Sequence, residues 1–217
     1  LSYGGNIYWS VHTHSEYSVK DAMGSVKSIV DRAAELNYPG LALTDHGNIA
    51  GAVELYQNCM ENGIKPFPGC EMYLVESRID KRKEKRYHFG VLAYTTEGYR
   101  NLVNLVNLSH QNFYRYPIVD LADLADLASA GRLKGLVVTT GCYFGYVTQT
   151  LINEGRAEAR RIVKAFDGWF DHVFVEIQKH CIHNEDQDED WNADQLMKIA
   201  DELGLHIVLG QDSHYVH

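Results

Sequence analysis

Gly40-Leu41-Ala42-Leu43-Thr44-Asp45-His46 is apolar through its first four residues and then turns polar. A strand buried on both faces of a parallel sheet looks like this, because neither side of its two-residue repeat meets water. The polar pair falls where such a strand would end. The segment that follows, 49–62, groups Ile49, Ala52, Val53, Tyr56 and Met60 at helical spacing, and Gly63 predicts its stop.

The same unit recurs along the chain. Runs 7–13, 40–45, 67–75, 87–94, 135–140, 173–178 and 206–211 are short, β-branched or aromatic-rich, and bounded by Gly, Pro or polar residues. Between them lie amphipathic segments at 25–37, 49–62, 97–112, 120–129, 145–153, 156–167 and 192–203, with Ser25 an N-cap and Gly204 a stop. Strand–helix alternation predicts right-handed βαβ units. The expected fold is α/β: a closed or nearly closed seven-stranded (β/α)7 barrel.

The strand ends carry the chemistry. Ile7-Tyr8-Trp9-Ser10-Val11 runs into His12-Thr13-His14, and strand alternation points His12 and His14 the same way. The second run ends at Asp45-His46, the third contains Glu71, the fifth ends at Cys142, the sixth runs into His180, and the seventh ends at Asp212 and His214. In α/β barrels the active site lies at the carboxyl ends of the strands, so these residues would meet at one mouth. A lone buried histidine is more often a hydrogen-bonded core residue. Repetition over most of the strands favours a metal site instead. His88 breaks the pattern, since it stands near the start of the fourth run.

Bulk properties narrow the options. The chain has 217 residues, 45% hydrophobic and 23% charged, with a formal charge of −9. That suits one globular domain spanning 1–217. The acidity argues against a simple electrostatic nucleic-acid binder, so DNA binding should be weak and salt-sensitive. Cys59, Cys70, Cys142 and Cys181 form no CxxC pair; reduced thiols in a cytosolic protein are expected, with Cys59 buried. No signal peptide or membrane-length apolar run is present, so no membrane partner is expected. The first residue is Leu1 rather than Met, as in a piece of a longer chain.

Six segments together resemble the PHP (polymerase and histidinol phosphatase) domain. They are Val11-His12-Thr13-His14-Ser15-Glu16-Tyr17-Ser18, Ala42-Leu43-Thr44-Asp45-His46-Gly47-Asn48, Pro68-Gly69-Cys70-Glu71-Met72-Tyr73, Glu97-Gly98-Tyr99-Arg100-Asn101-Leu102, Thr140-Gly141-Cys142 and Asp212-Ser213-His214-Tyr215. They are most similar to the branch found at the N-terminus of bacterial replicative DNA polymerase III alpha subunits, rather than to the small-molecule phosphatases.

The resemblance implies a distorted TIM-like barrel and a site for up to three divalent metals held by nine ligands. His12, His14, Glu71 and Asp212 would hold one metal. Glu71 would bridge to a second, shared with His88 and Cys142, and Asp21, His46 and His214 would hold a third. Mixed nitrogen, oxygen and sulfur ligation suits Zn²⁺ or Mn²⁺, with room for Fe²⁺, better than Mg²⁺ or Ca²⁺. His12, His14, Glu71 and Asp212 would then be the catalytic group.

The activity implied is 3′–5′ exonuclease proofreading, with a metal-bound hydroxide attacking the last phosphodiester of a DNA primer–template. The partners implied are the DNA 3′ end, the rest of the polymerase chain and other replisome subunits, in the cytoplasm of a bacterium or a phage-infected host. The polymerase palm, fingers and thumb are not among these residues. Two other readings stand beside it: a catalytically silent, metal-braced interaction domain of the polymerase, and a stand-alone phosphatase for a small substrate such as histidinol phosphate.

Other residues are weighed against blander roles. Asp45 either orients His46 or caps the following helix. His180 contacts substrate phosphate or only a local partner, and Tyr17 lines the cleft and stacks a base. Lys81-Arg82-Lys83-Glu84-Lys85-Arg86 and the acidic run from Glu185 to Asp190 read as solvated loops. His110, His172, His183, His206 and His217 carry no assigned role. The fourteen tyrosines are scattered and form no clear stacking platform.

Overall fold

The computed structural model describes residues 8–78, 85–179 and 189–216. Seven strands are present among them: β1 Gly40–Leu43, β2 Lys65–Val75, β3 Tyr87–Ala93, β4 Ile118–Asp120, β5 Leu136–Thr139, β6 His172–Ile177 and β7 His206–Leu209. The helices are α1 Val26–Glu35, α2 Ala52–Asn62, α3 Thr96–Gln111, α4 Leu121–Ser129, α5 Tyr146–Glu154, α6 Arg156–Trp169 and α7 Glu189–Leu203.

The strands form one sheet in the order β1-β2-β3-β5-β6-β7, with β4 paired to β2 off this path. The sheet curls until its two ends face the segment around residues 10–14. Ser10 bridges Leu41 beside β1, and Thr13 bridges Ser213 just after β7. The expected strand 7–13 is therefore reduced, in its described part, to one parallel bridge on each flank. Its backbone serves two neighbours that diverge, with Ala42 N–H bonded to Ser10 O at 2.7 Å and His14 N–H to Ser213 O at 2.8 Å.

The sheet is mixed, not wholly parallel. β3 runs antiparallel to both neighbours, β2 and β5. This accounts for His88. The start of an antiparallel strand lies at the same end of the sheet as the finish of the parallel ones, and His88 pairs across from Tyr73, two residues beyond Glu71. β4 escapes the sequence reading because it is three residues long and leads directly into α4. Asp120 is both its last residue and the N-cap of that helix, in a capping box with Asp123.

Two of the three apolar clusters among the described residues pack helices on the sheet. The larger packs Leu102, Leu105, Val147, Ile162, Phe166 and Ile199 against Met72, Phe89, Val138 and Val175. The smaller sets α1 and α2 on β1 through Val26, Val30, Leu41, Leu55 and Cys59. Ser25 caps α1 through Ser28 N, and Gly63 ends α2 at φ 68°, a left-handed backbone that favours glycine. The face of α2 differs from expectation. Ala52, Leu55 and Cys59 are buried, whereas Val53, Tyr56 and Met60 are exposed. Both stripes are apolar at helical spacing, so periodicity alone does not choose between them. α7 begins at Glu189, so the last two residues of the acidic run are helical. No helix among the described residues is long and apolar enough to cross a membrane.

Candidate metal centre

Glu71 lies at the centre of the mouth and is 1% exposed. Its Oε1 is 3.2 Å from His12 Nε2 and 3.0 Å from His88 Nδ1. Its Oε2 is 2.7 Å from His46 Nδ1 and 3.8 Å from His14 Nε2. Asp212 Oδ1 is 3.3 Å from His12 Nε2 and 3.2 Å from His14 Nε2. Asp21 Oδ2 lies 2.7 Å from His46 Nε2 and 3.1 Å from His214 Nε2. Cys142 Sγ is 3.5 Å from His88 Nδ1. All nine ligand-type residues singled out in the sequence thus meet at one end of the sheet.

The hydrogen bonds behind the rings decide which way their lone pairs point. His12 Nδ1 is 2.7 Å from Glu176 Oε1; a carboxylate only accepts, so Nδ1 carries the proton and Nε2 turns a lone pair to the mouth. Ser18 spends its one hydroxyl proton on Asp45 Oδ1 at 2.7 Å. It must therefore accept from His14 Nδ1 at 3.1 Å, which again frees Nε2. His214 Nδ1 donates to the Asp212 carbonyl at 2.8 Å, with the same result. Three imidazole lone pairs consequently face carboxylate oxygens, acceptor against acceptor.

That arrangement fits a cation. His12 Nε2, His14 Nε2, His46 Nδ1, both Glu71 oxygens and Asp212 Oδ1 are out of reach of water and make no hydrogen bond, a costly state for so many buried polar atoms. Neighbouring ligands on a tetrahedral ion with bonds of ~2.0 Å stand ~3.3 Å apart, close to several of the spacings above. Three overlapping groups, His12–His14–Glu71, His46–Glu71–His88 and His14–His46–His214, each bring their donor atoms within 4.8 Å of one another.

Without a cation, protons take up the strain. Burial opposes charge on His12, but the Glu176 and Glu71 carboxylates outweigh it and hold this imidazole well above its usual range. Burial also disfavours the Glu71 carboxylate; the charge on His12, with the His46 and His88 imidazoles close by, overrides it and keeps the carboxyl well below its usual value. His46 is raised, burial being outweighed by Glu71 and Asp21. For His14 burial wins over Asp212 and Glu71, and its pKa is lowered. Burial, then the Glu71 and Asp212 charges, push the Cys142 thiol well above its usual range.

The backbone is bent to serve the site. Asp212 has φ 48°, a left-handed conformation rare outside glycine though tolerated by Asp. Gly141, just before Cys142, has φ 79°. Gly210 has no Cβ for a different reason: one would fall on the Glu176 carboxylate.

Glu176 was not found in the sequence reading. It is 1% exposed, accepts from Thr139 Oγ1 and Gln178 Nε2 at 2.7 Å each, and orients His12. Its signal was available: a single charge inside the otherwise apolar Val173-Phe174-Val175-Glu176-Ile177. Asp45 fills neither role expected of it. It accepts from Ser15 N, Ser15 Oγ and Ser18 Oγ at 2.7–2.8 Å, and so acts through Ser18 on the His14 ring and on the His46 backbone N–H rather than on the His46 ring. Tyr17 turns from the mouth: it packs on the smaller core, and its hydroxyl points to Glu54 of α2. His180, Cys181, His183, His217 and residues 81–84 and 185–188 lie outside the described residues.

The sequence profile of the PHP domain matches residues 10–180. The chain belongs to the PHP domain family. Asp212 and His214 lie beyond the matched stretch and are brought back to it by β7. The DNA polymerase III subunit alpha of Chlamydia muridarum is 34% identical over 228 residues, covering 95% of this chain and 18% of the relative. That of Borreliella burgdorferi is 32% identical, with the same two coverages, and that of Treponema pallidum is 34% identical over 94% of this chain and 17% of the relative. This PHP domain therefore spans less than a fifth of these curated relatives. An amidohydrolase from Chromobacterium violaceum shares the fold, at a TM-score of 0.55 and 15% identity, over 96% of this chain and 88% of that one.

Proposed function

We propose that this PHP domain is a metal-dependent phosphoesterase that removes nucleotides from a DNA 3′ end as part of a DNA polymerase III alpha chain. The observation that carries the reading is the ring of ligand-type groups around Glu71, four imidazoles within 3.8 Å of its oxygens and the Asp212 carboxylate against two of them. In the proposed assignment, His12, His14 and Asp212 hold one ion. Glu71, which would also serve the first, would hold a second with His88 and Cys142, and Asp21, His46 and His214 would hold a third. Zinc or manganese suits this donor set.

Divalent ions bound here would supply Lewis acidity toward a phosphoryl oxygen and lower the pKa of water. The chain's own residues do the positioning. Glu176 and the Asp45–Ser18 pair fix the tautomers of His12 and His14, so both Nε2 lone pairs converge with Asp212 Oδ1. Glu71 turns Oε1 to His12 and His88, and Oε2 to His46 and His14.

The test is digestion of a 3′-labelled primer–template with a terminal mismatch, with Mn²⁺ or Zn²⁺, beside Asp212→Asn and His14→Ala. Mononucleotide release that both substitutions abolish is expected. The formal charge of −9 favours a second reading, in which the metals only brace a polymerase domain; a folded, metal-loaded protein that releases no nucleotide would select it.

A further inference from the structure

Aromatic side chains surround the metal mouth on the side of His88. Tyr73 lies edge-on to the His88 ring at 5.2 Å and alongside His46 at 6.0 Å. Tyr116 follows at 5.0 Å from Tyr73, and the Arg86 guanidinium sits 4.1 Å over the Tyr116 ring. On the other flank of His88 stands Phe144, its ring 6.4 Å from the imidazole and 58% exposed. Scattered in sequence, these residues form one rim in space.

Single exposed aromatics are ordinary on protein surfaces. Phe144 differs in being pinned to the site. Its carbonyl accepts from His88 N at 3.1 Å, and Gly145 N bonds back to Cys142 O at 2.8 Å. The ring therefore sits on a short turn that begins at one proposed ligand and is tied to another. Tyr143 meets it edge-on at 5.4 Å, which leaves its outer face to solvent. Arg86 is likewise held rather than free, with its charge spread over an aromatic face on an otherwise acidic chain.

We propose that this rim binds the single-stranded 3′ end of DNA, with the terminal base stacked on Phe144 and Arg86 on a backbone phosphate upstream. The assignment deepens the nuclease reading and rests on it for the orientation of the strand. A π-face accepts any base, so the platform would select unpaired ends rather than sequences. A terminal mismatch supplies such an end because it is already unstacked.

Binding can be read without turnover. The probe is a fluorescent oligothymidylate whose 3′-terminal linkages are phosphorothioate, followed by anisotropy with Mn²⁺, beside a base-free oligomer of the same length and charge. Wild type is expected to bind the base-bearing strand about tenfold tighter or more. Phe144→Ala should remove that difference. Arg86→Ala should weaken both strands alike and reduce the salt slope by about one. Both side chains are exposed, so unchanged melting curves would show that the variants fold. Equal binding of the two strands by wild type, or a difference retained in Phe144→Ala, would overturn the platform. A domain that binds the strand as expected yet hydrolyses nothing would overturn the nuclease reading while leaving the platform standing.

Discussion

Glu176 Oε1 lies 2.7 Å from His12 Nδ1, and both side chains are buried. The carboxylate holds the imidazole in the one tautomer that turns Nε2 to Glu71 and Asp212. Carboxylate partners of this kind, behind a ligating histidine, typically contribute a factor of about 10–100 in metal affinity. Glu176→Ala should therefore weaken metal binding by about that factor, measured by competition with a chromophoric chelator. Glu176→Gln, whose amide oxygen still accepts from Nδ1, should lose less. Gly210→Ala should act like Glu176→Ala, because its Cβ would occupy the carboxylate's place. Equal affinity in all three would show that His12 needs no such support.

Ser18 links Asp45 to His14. Removing its hydroxyl takes the acceptor from a buried imidazole N–H and from the His46 backbone N–H, while Asp45 Oδ1 keeps its bond from Ser15 N. Ser18→Ala should cost about 1–3 kcal/mol of stability in the metal-free protein. It should also free His14 to exchange tautomers, visible in the nitrogen chemical shifts of the ring. A single Nδ1–H tautomer persisting in the variant would contradict the relay.

The protons in the metal-free cluster give a signed pH dependence. His12 is raised above 6.5, so its share of stability is full below that value and fades as pH rises through the folded pKa. Glu71 is depressed below 4.5, so its share is full above that value and is lost as pH falls toward the folded pKa. Metal held as proposed would displace the protons on His12, His46 and Cys142, all held above their usual range. Affinity should accordingly rise with pH on the alkaline side of 6.5, with proton release measurable by calorimetry in buffers of different ionisation enthalpy. A flat affinity and no proton release would contradict these assignments.

α2 offers a plain test of packing. Leu55 is fully buried, whereas Val53, Tyr56 and Met60 are more than half exposed. Leu55→Ala should cost about 2–5 kcal/mol in denaturant unfolding. Polar replacements at the other three positions should each stay within about 0.5 kcal/mol. The reverse order would place the helix the other way round.

The strands were legible where their apolar runs are long and end in Gly or polar residues, as at Gly40–His46 and Leu136–Thr139. Direction was not legible, because β3 reads the same along the chain whether it runs with its neighbours or against them. His88 was the one clue: a ligand-type residue at the wrong end of a parallel strand is at the right end of an antiparallel one. The nine ligand-type residues stood out because histidines, carboxylates and a thiol recur beside strand ends. The residues behind them did not. Glu176 meets His12 through packing across 164 positions of sequence, and Ser18 meets His14 through the local turn four residues on. The aromatic rim was hidden for the same reason, since Tyr73, Arg86, Tyr116 and Phe144 share no local pattern.

Nine residues converge around Glu71, and on the proposed reading they hold a cluster of divalent ions. Anomalous diffraction from crystals grown with zinc or manganese tests it directly. Three peaks are expected within the mouth, two of them flanking Glu71, each about 2.0–2.3 Å from the nitrogen, oxygen or sulfur atoms of its assigned set. Peaks confined to the outer surface, with His12, His14 and Asp212 bonded only to one another, would contradict it.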